Sequence, residues 1–326
     1  MAICCETHCH SLYIQHYFVP HIFIFSHFVF VINEETNNFA SCNIKKKRKK
    51  TEMDKKTKGI IHPILAVAIF IICQSLASVA IIAIEIIKDY KAFCSTMDTG
   101  NIMSLISSGS MAWATIISGI AAVLIMGLIK AFDWKTVLNV KTIDWKMGTV
   151  SILAAIFGIF GLNLVEEWIE LPNLLEDMFP DMASTTIGFI AIGIAAPVVE
   201  EFLFRESIAG NMFRAGFNKW ATILISAFVF GAIHGNPAQI PFAAAMGVIL
   251  AIIYYKTGNI VIPIIIHALN NSYACIQMNM LGEEVNTYSF TDDIGGLPVA
   301  IPLAVLSIAL CIILLKVFWH KYQTRY

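Results

Sequence analysis

The sequence predicts an all-α polytopic membrane protein with about eight transmembrane helices and both termini cytoplasmic. Three observations carry that expectation. Hydrophobic residues make up 57% of the 326 residues and charged residues 14%, against about 45–50% and 25% in soluble domains. The apolar residues gather into runs of membrane-spanning length, and mean hydropathy is +0.72. Lysine and arginine collect on every second connection between those runs. A net charge of -1 excludes the basic balance of a nucleic-acid binder.

A membrane helix needs about 20 mostly apolar residues. Runs of that kind fall at about 60–87, 104–130, 147–165, 185–208, 219–235, 239–256, 260–279 and 297–318. A lysine-rich lead (Lys55, Lys56, Lys58) precedes the first. Lys130, Lys135, Lys141 and Lys146 join the second to the third, and Arg205, Arg214 and Lys219 flank the fourth-to-fifth connection. Lys256 closes the sixth, and Lys316, Lys321 and Arg325 follow the eighth. The alternate loops are acidic, from Glu166 to Asp181 and from Glu283 to Asp293, with Lys88 and Lys91 as the exceptions. By the positive-inside bias the basic side is cytoplasmic. Trp134, Trp145, Trp168 and Trp220 fall near span ends, as amphipathic indoles do at membrane interfaces. The segment from Glu166 to Asp181 reads as a short amphipathic helix on the outer surface.

The first 52 residues differ in character from the rest of the chain. Leu12–Ile32 is broken by Gln15, His16, Pro20, His21 and His27, and a basic run, 45–50, precedes Met53. We read 1–52 as an extension translated ahead of a start at Met53, and 53–326 as the membrane domain. The competing reading is an extra membrane segment or an uncleaved signal-like region. Cys4, Cys5, His8, Cys9 and His10 lack the second spaced ligand pair that a structural zinc site uses. The eight cysteines are scattered and imply no disulfide framework.

Chemistry concentrates in three spans. Glu200, Glu201 and Arg205 lie in an apolar stretch, where each ionised group costs from about 2.5 kcal/mol upward at mid-membrane. Adjacent helix positions differ by about 100°, so the two carboxylates cannot face one pocket. Glu201 and Arg205, four apart in acid-before-base order, pair on one face. Glu200 is then left without a local cation, as a base or ligand, beside Pro197, which loosens the backbone. His234 follows on the next span, and His267 and Asn271 sit one turn apart on a third. Singly, each reads as interhelical glue worth about 0.6 kcal/mol. Together they supply a base, an imidazole and an amide donor, the inventory for activating water and stabilising an oxyanion.

Glu200-Glu201-x-x-x-Arg205, Phe230-x-x-x-His234 and His267-x-x-x-Asn271 resemble, in order and spacing, the three motifs of the CAAX-protease and bacteriocin-processing family (CPBP, or Abi) of intramembrane proteases. Ala-Pro before the glutamates and Lys256-Thr257-Gly258-Asn259 before the third motif agree. The likeness covers about 185–275. Glu206 departs from it, where the family often has Gly. The resemblance implies peptide-bond cleavage in the membrane, with Glu200 and His234 activating water and His267 and Asn271 holding the oxyanion. It equally carries a zinc reading, in which Glu200, His234, His267 and Asn271 are metal ligands. An amide is an uncommon zinc ligand and no His-Glu-x-x-His helix is present, so the residues lean towards the metal-free mechanism.

The expected partners are the lipid bilayer and a peptide or membrane-protein substrate, and the expected location is a bacterial plasma membrane. Two other functions fit the same residues. One is a non-catalytic relative giving bacteriocin self-immunity or regulating a membrane protein. The other is a proton-coupled transporter, disfavoured because no inverted repeat is seen. One depth mismatch stands out. If the fourth span ends at 208, Glu200 lies about 10–15 Å from its end while His234 lies about 24 Å from Asn218.

Overall fold

The computed structural model describes residues 55–90, 94, 106–137, 144–175 and 178–321, all within the unit Met53–Tyr326. The extension 1–52, the Met53 start and the Cys4–His10 cluster lie outside the described residues.

Eight helices occupy the eight apolar runs. They are α1 (Lys55–Lys88), α2 (Ser108–Leu128), α3 (Trp145–Glu167), α4 (Thr186–Arg214), α5 (Lys219–Ala232), α6 (Ile240–Thr257), α7 (Val261–Leu281) and α8 (Leu297–Lys321). Their starts are written in the sequence. Ser107, Asp144, Thr185 and Asn218 each accept a hydrogen bond from an otherwise orphaned amide of the first turn. Gly258, at φ +58°, ends α6 in the left-handed conformation that glycine adopts without strain.

Six of these helices are long and apolar enough to cross a membrane, so the protein is an all-α, multi-pass membrane protein. The expected count of eight falls to six on that criterion, for two physical reasons. Helix α5 has 14 residues, about 21 Å of helix against a hydrocarbon core of about 30 Å. Helix α7 has the length, at 21 residues, but carries His267, Asn270, Asn271, Ser272, Gln277 and Asn279. The acidic segment also differs from expectation. The chain from Ile169 to Leu175 is not helical, and the short helix there is Met178–Ala183.

Helix α3 packs extensively along α8, α5 along α6, and α2 along both α1 and α4. Small residues let α5 and α6 approach closely. A Cβ on Gly231 would lie 2.7 Å from the Ile240 carbonyl oxygen, and one on Gly247 would lie 3.0 Å from Ala227 Cα.

Helix α4 is irregular in two places, with π-helical turns at Ala191–Ala195 and Phe202–Gly210. Only Ala196–Glu201 between them is regular α-helix. Pro197 explains the first irregularity. It has no N–H, so neither the Ile192 carbonyl in π register nor the Gly193 carbonyl in α register receives its expected bond. Helix α7 supplies both donors instead, from Asn271 Nδ2 to Ile192 O (3.2 Å) and from Ser272 Oγ to Gly193 O (3.3 Å). Gly193 permits that approach, since a Cβ there would come within 2.9 Å of Ser272 Oγ.

Extension of α4 to Arg214 resolves the depth mismatch. Glu200 stands fourteen residues before Arg214 and His234 fifteen after Lys219, across the turn 215–218. At 1.5 Å per residue both are about 21–23 Å from that turn. It is α4 that runs past the expected end at 208, to Arg214, which gives the two residues a similar count of turns from that connection.

A buried glutamate–histidine site

Glu201 is the centre of the polar cluster. Its Oε2 lies 3.0 Å from Arg205 Nε, with both side chains at 0% exposure. The angle is not that of a hydrogen bond, so the contact is an ion pair. Arg205 also lays its guanidinium over the Phe230 ring at 4.7 Å, where the negative π face attracts a cation.

The expectation of a self-contained Glu201–Arg205 pair needs one correction. The other oxygen, Oε1, accepts a hydrogen bond from His267 Nδ1 at 3.0 Å. Glu201 therefore joins α4 to α7 as well as neutralising Arg205.

That bond orients the imidazole. With Nδ1–H directed at a carboxylate, Nε2 faces Glu200, whose Oε2 is 3.7 Å away. Glu200 is the more exposed residue, its side chain 17% exposed beside 2% for His267, while the Oε2 that faces His267 is itself buried and has no hydrogen-bond partner. The order Arg205, Glu201, His267, Glu200 thus runs from fully buried to partly exposed.

His234 lies just past the end of α5, before Gly235 at φ +63°. Its Nδ1 bonds the Phe230 carbonyl oxygen at 2.8 Å, the i to i+4 contact that a helix end offers. Nε2 is the nitrogen left for chemistry. Phe230 also meets both imidazoles edge to face, His234 at 5.2 Å and His267 at 5.4 Å between centroids. One fully buried ring thereby contacts Arg205, His234 and His267.

Asn271 is placed one turn beyond His267, with one amide N–H on the Ile192 carbonyl and its oxygen accepting from Asn270 Nδ2 at 3.2 Å. Its second N–H remains for another acceptor. Among the described residues no three His, Cys, Asp or Glu side chains converge as a metal site.

Sequence reasoning gave no role to Phe230, Asn236 or the second oxygen of Glu201. Asn236 is fully buried. Its Oδ1 accepts from Leu174 N at 3.0 Å and its Nδ2 donates to Asn173 Oδ1 at 2.9 Å, tying the His234 turn to the chain after α3. The Phe230-to-His234 spacing was the one available signal; the Asn236 contact bridges segments too distant for any spacing rule. Glu206, the departure from the motif, forms an ion pair with Arg214 at 3.2 Å at the end of α4.

The fold and site define a multi-pass helical membrane protein with a carboxylate–imidazole cluster buried between α4, α5 and α7. Residues 182–273, which hold every one of these side chains, match the family model described as Type II CAAX prenyl endopeptidase Rce1-like. The chain is 36% identical over 90 residues to the membrane-embedded CAAX protease MroQ of Staphylococcus aureus (strain USA300), covering 26% of this chain and 36% of that protein. It is 32% identical over 87 residues to the putative membrane peptidase YdiL of Bacillus subtilis (strain 168), covering 27% and 35%. The chain thus spans about a third of the length of the curated relatives it matches. No solved structure matches it.

Proposed function

We propose that the protein is an intramembrane endopeptidase that hydrolyses peptide bonds of membrane-associated or peptide substrates. The observation that carries the reading is the Glu200–His267 approach of 3.7 Å, fixed from behind by Glu201. Arg205 is neutralised by Glu201, so the second carboxylate, whose buried Oε2 has no hydrogen-bond partner, is left for chemistry.

In the proposed mechanism Glu200 takes a proton from a water held between it and His234 Nε2, and the hydroxide adds to the substrate carbonyl carbon. The oxyanion so formed accepts hydrogen bonds from His267 Nε2, when that nitrogen carries a proton, and from the second N–H of Asn271. As the tetrahedral intermediate collapses, the C–N bond breaks and Glu200 returns its proton to the leaving amine. Water and peptide are converted to acid and amine with no external acceptor. The metal-free route is the one we propose, and zinc at Glu200, His234, His267 and Asn271 is the alternative that chelation tests.

We also propose that α5 and α7 complete eight crossings with both termini cytoplasmic, supported by the basic alternate connections, and that the membrane is a bacterial plasma membrane. Cysteines introduced into the 215–218 and 237–239 connections should react with an impermeant thiol reagent from opposite sides; reaction from the same side would mean that α5 does not cross.

The functional test is cleavage of a membrane-peptide library by the purified protein, its Glu200→Ala and His267→Ala variants, and the protein treated with a zinc chelator. Loss in both variants with retention after chelation is expected. Equal cleavage by both variants would remove this site from catalysis, and loss on chelation would favour the zinc route.

A further inference from the structure

A second polar cluster lies where the start of α5 and the ends of α6 and α8 meet. Trp319 is its core. Trp220 stacks on it at 5.2 Å and 12°, and Tyr255 at 5.4 Å and 20°. Two ammonium groups flank the same indole, Lys219 Nζ at 4.8 Å and Lys256 Nζ at 5.0 Å from the ring centroid.

Lys256 has a structural task. Its Nζ donates to the Trp319 carbonyl oxygen at 2.6 Å, one of the last carbonyls of α8 that the helix cannot satisfy itself. The bond leaves the positive charge uncompensated, and Lys256 is only 4% exposed. Among the described residues neither Lys219 nor Lys256 forms an ion pair. The sequence explains why. No Asp or Glu occurs from 207 to 282 or from 294 to 326, and Glu206 is taken by Arg214. The two lysines therefore act on each other as like charges. Cation–π contact with the indole attracts both ammonium groups but does not neutralise either of them.

We propose that this cluster binds the phosphate of an anionic phospholipid headgroup. The phosphate docks on partly exposed Lys219 at the Trp220 edge, where it also compensates the buried Lys256. A lipid is the occupant because the site terminates apolar membrane helices, and Trp220 is 48% exposed there, as indoles at a headgroup boundary are. The polar atoms that meet the phosphate thus sit beside apolar helix faces that meet the acyl chains.

The test uses the full chain in phosphatidylcholine nanodiscs with and without phosphatidylglycerol. Readouts are the unfolding temperature and the phosphatidylglycerol retained in native mass spectrometry. Wild type should retain one phosphatidylglycerol and unfold several degrees higher than in phosphatidylcholine alone. In Lys219→Gln, which leaves the Lys256 bond to α8 in place, retention should fall about fivefold, the worth of one lysine near a headgroup. Lys55→Gln, at the exposed start of α1, should behave as wild type. Equal retention in Lys219→Gln and wild type would overturn the proposal. So would an equal loss in Lys55→Gln, which means diffuse attraction. The same thermal shift from inorganic phosphate in phosphatidylcholine nanodiscs would replace the lipid with a free anion, and that too would overturn it.

Discussion

Replacing Arg205 with methionine tests whether the buried charges act as one unit. Methionine preserves an unbranched apolar stem against Phe230 and removes the cation 3.0 Å from Glu201 Oε2. The Glu201 carboxylate keeps its bond from His267 Nδ1 through Oε1 but faces the interior with an unpaired Oε2 at 0% exposure. Breaking a buried pair from one side costs about 3–5 kcal/mol, an equilibrium change of roughly a hundredfold to several thousandfold. Removing both charges in Arg205→Met/Glu201→Gln should recover most of that loss, because neither charge then needs to be desolvated. Peptidase activity should stay low in the double variant, since an amide no longer holds Nδ1–H as a carboxylate does. The assay is reversible unfolding in mixed micelles with SDS, beside cleavage of a reporter peptide. A single variant within about 1 kcal/mol of wild type, the range of surface pairs, would refute the reasoning. Full activity in the double variant would show that Glu201 does not position His267.

Three further outcomes rest on the same geometry. Glu200→Gln should lower the cleavage rate by about 10²–10⁴, the usual worth of a general base, with the unfolding midpoint unchanged; a wild-type rate would remove Glu200 from the chemistry. Asn271→Ala should cost about 1–3 kcal/mol by orphaning the Ile192 carbonyl, and less in a Pro197→Ala background, where the substituted residue supplies an N–H; additive effects in a double-mutant cycle would deny the compensation. Phe230→Ala should cost about 3–5 kcal/mol and loosen both imidazoles, seen as broadened histidine NMR signals, whereas a well-tolerated substitution would show that the ring is filler.

Much of the site was legible because its spacing is local. Glu201 and Arg205, Phe230 and His234, and His267 and Asn271 are each four positions apart, about one helical turn, with His234 falling just past the end of α5. What was not legible depends on pairing between helices. No spacing within one chain segment shows that Glu201 Oε1 reaches α7, or that Asn271 spends an N–H on α4. Span counting met a related limit. Length and apolar composition identify six helices outright, whereas α5 is short and α7 carries polar side chains that contact α4, although both also expose apolar residues such as Phe228 and Leu269. Pro197 marks the same boundary. Its missing N–H shows in the sequence that α4 is loosened, but not that two specific acceptors are left for α7 to meet.

Those acceptors link architecture to the proposed chemistry. A continuous α-helix from Thr186 to Arg214 would satisfy its own carbonyls and give α7 no fixed register. The interrupted ladder instead offers Ile192 O and Gly193 O as docking points, and Asn271 and Ser272 take them. His267 lies one turn before Asn271 on the same face, so the docking sets its height opposite Glu200 and Glu201, which begin five residues after the last position of the first π-helical turn, Ala195. The polar groups of α7 therefore do two things at different depths, anchoring at Asn271 and Ser272 and presenting an imidazole at His267. A variant that keeps His267 but shifts this anchor by one turn should preserve helix content and lose the Glu200–His267 approach. Distance measurement between spin labels on α4 and α7, set against the cleavage rate, would show whether activity follows the register or the residues alone.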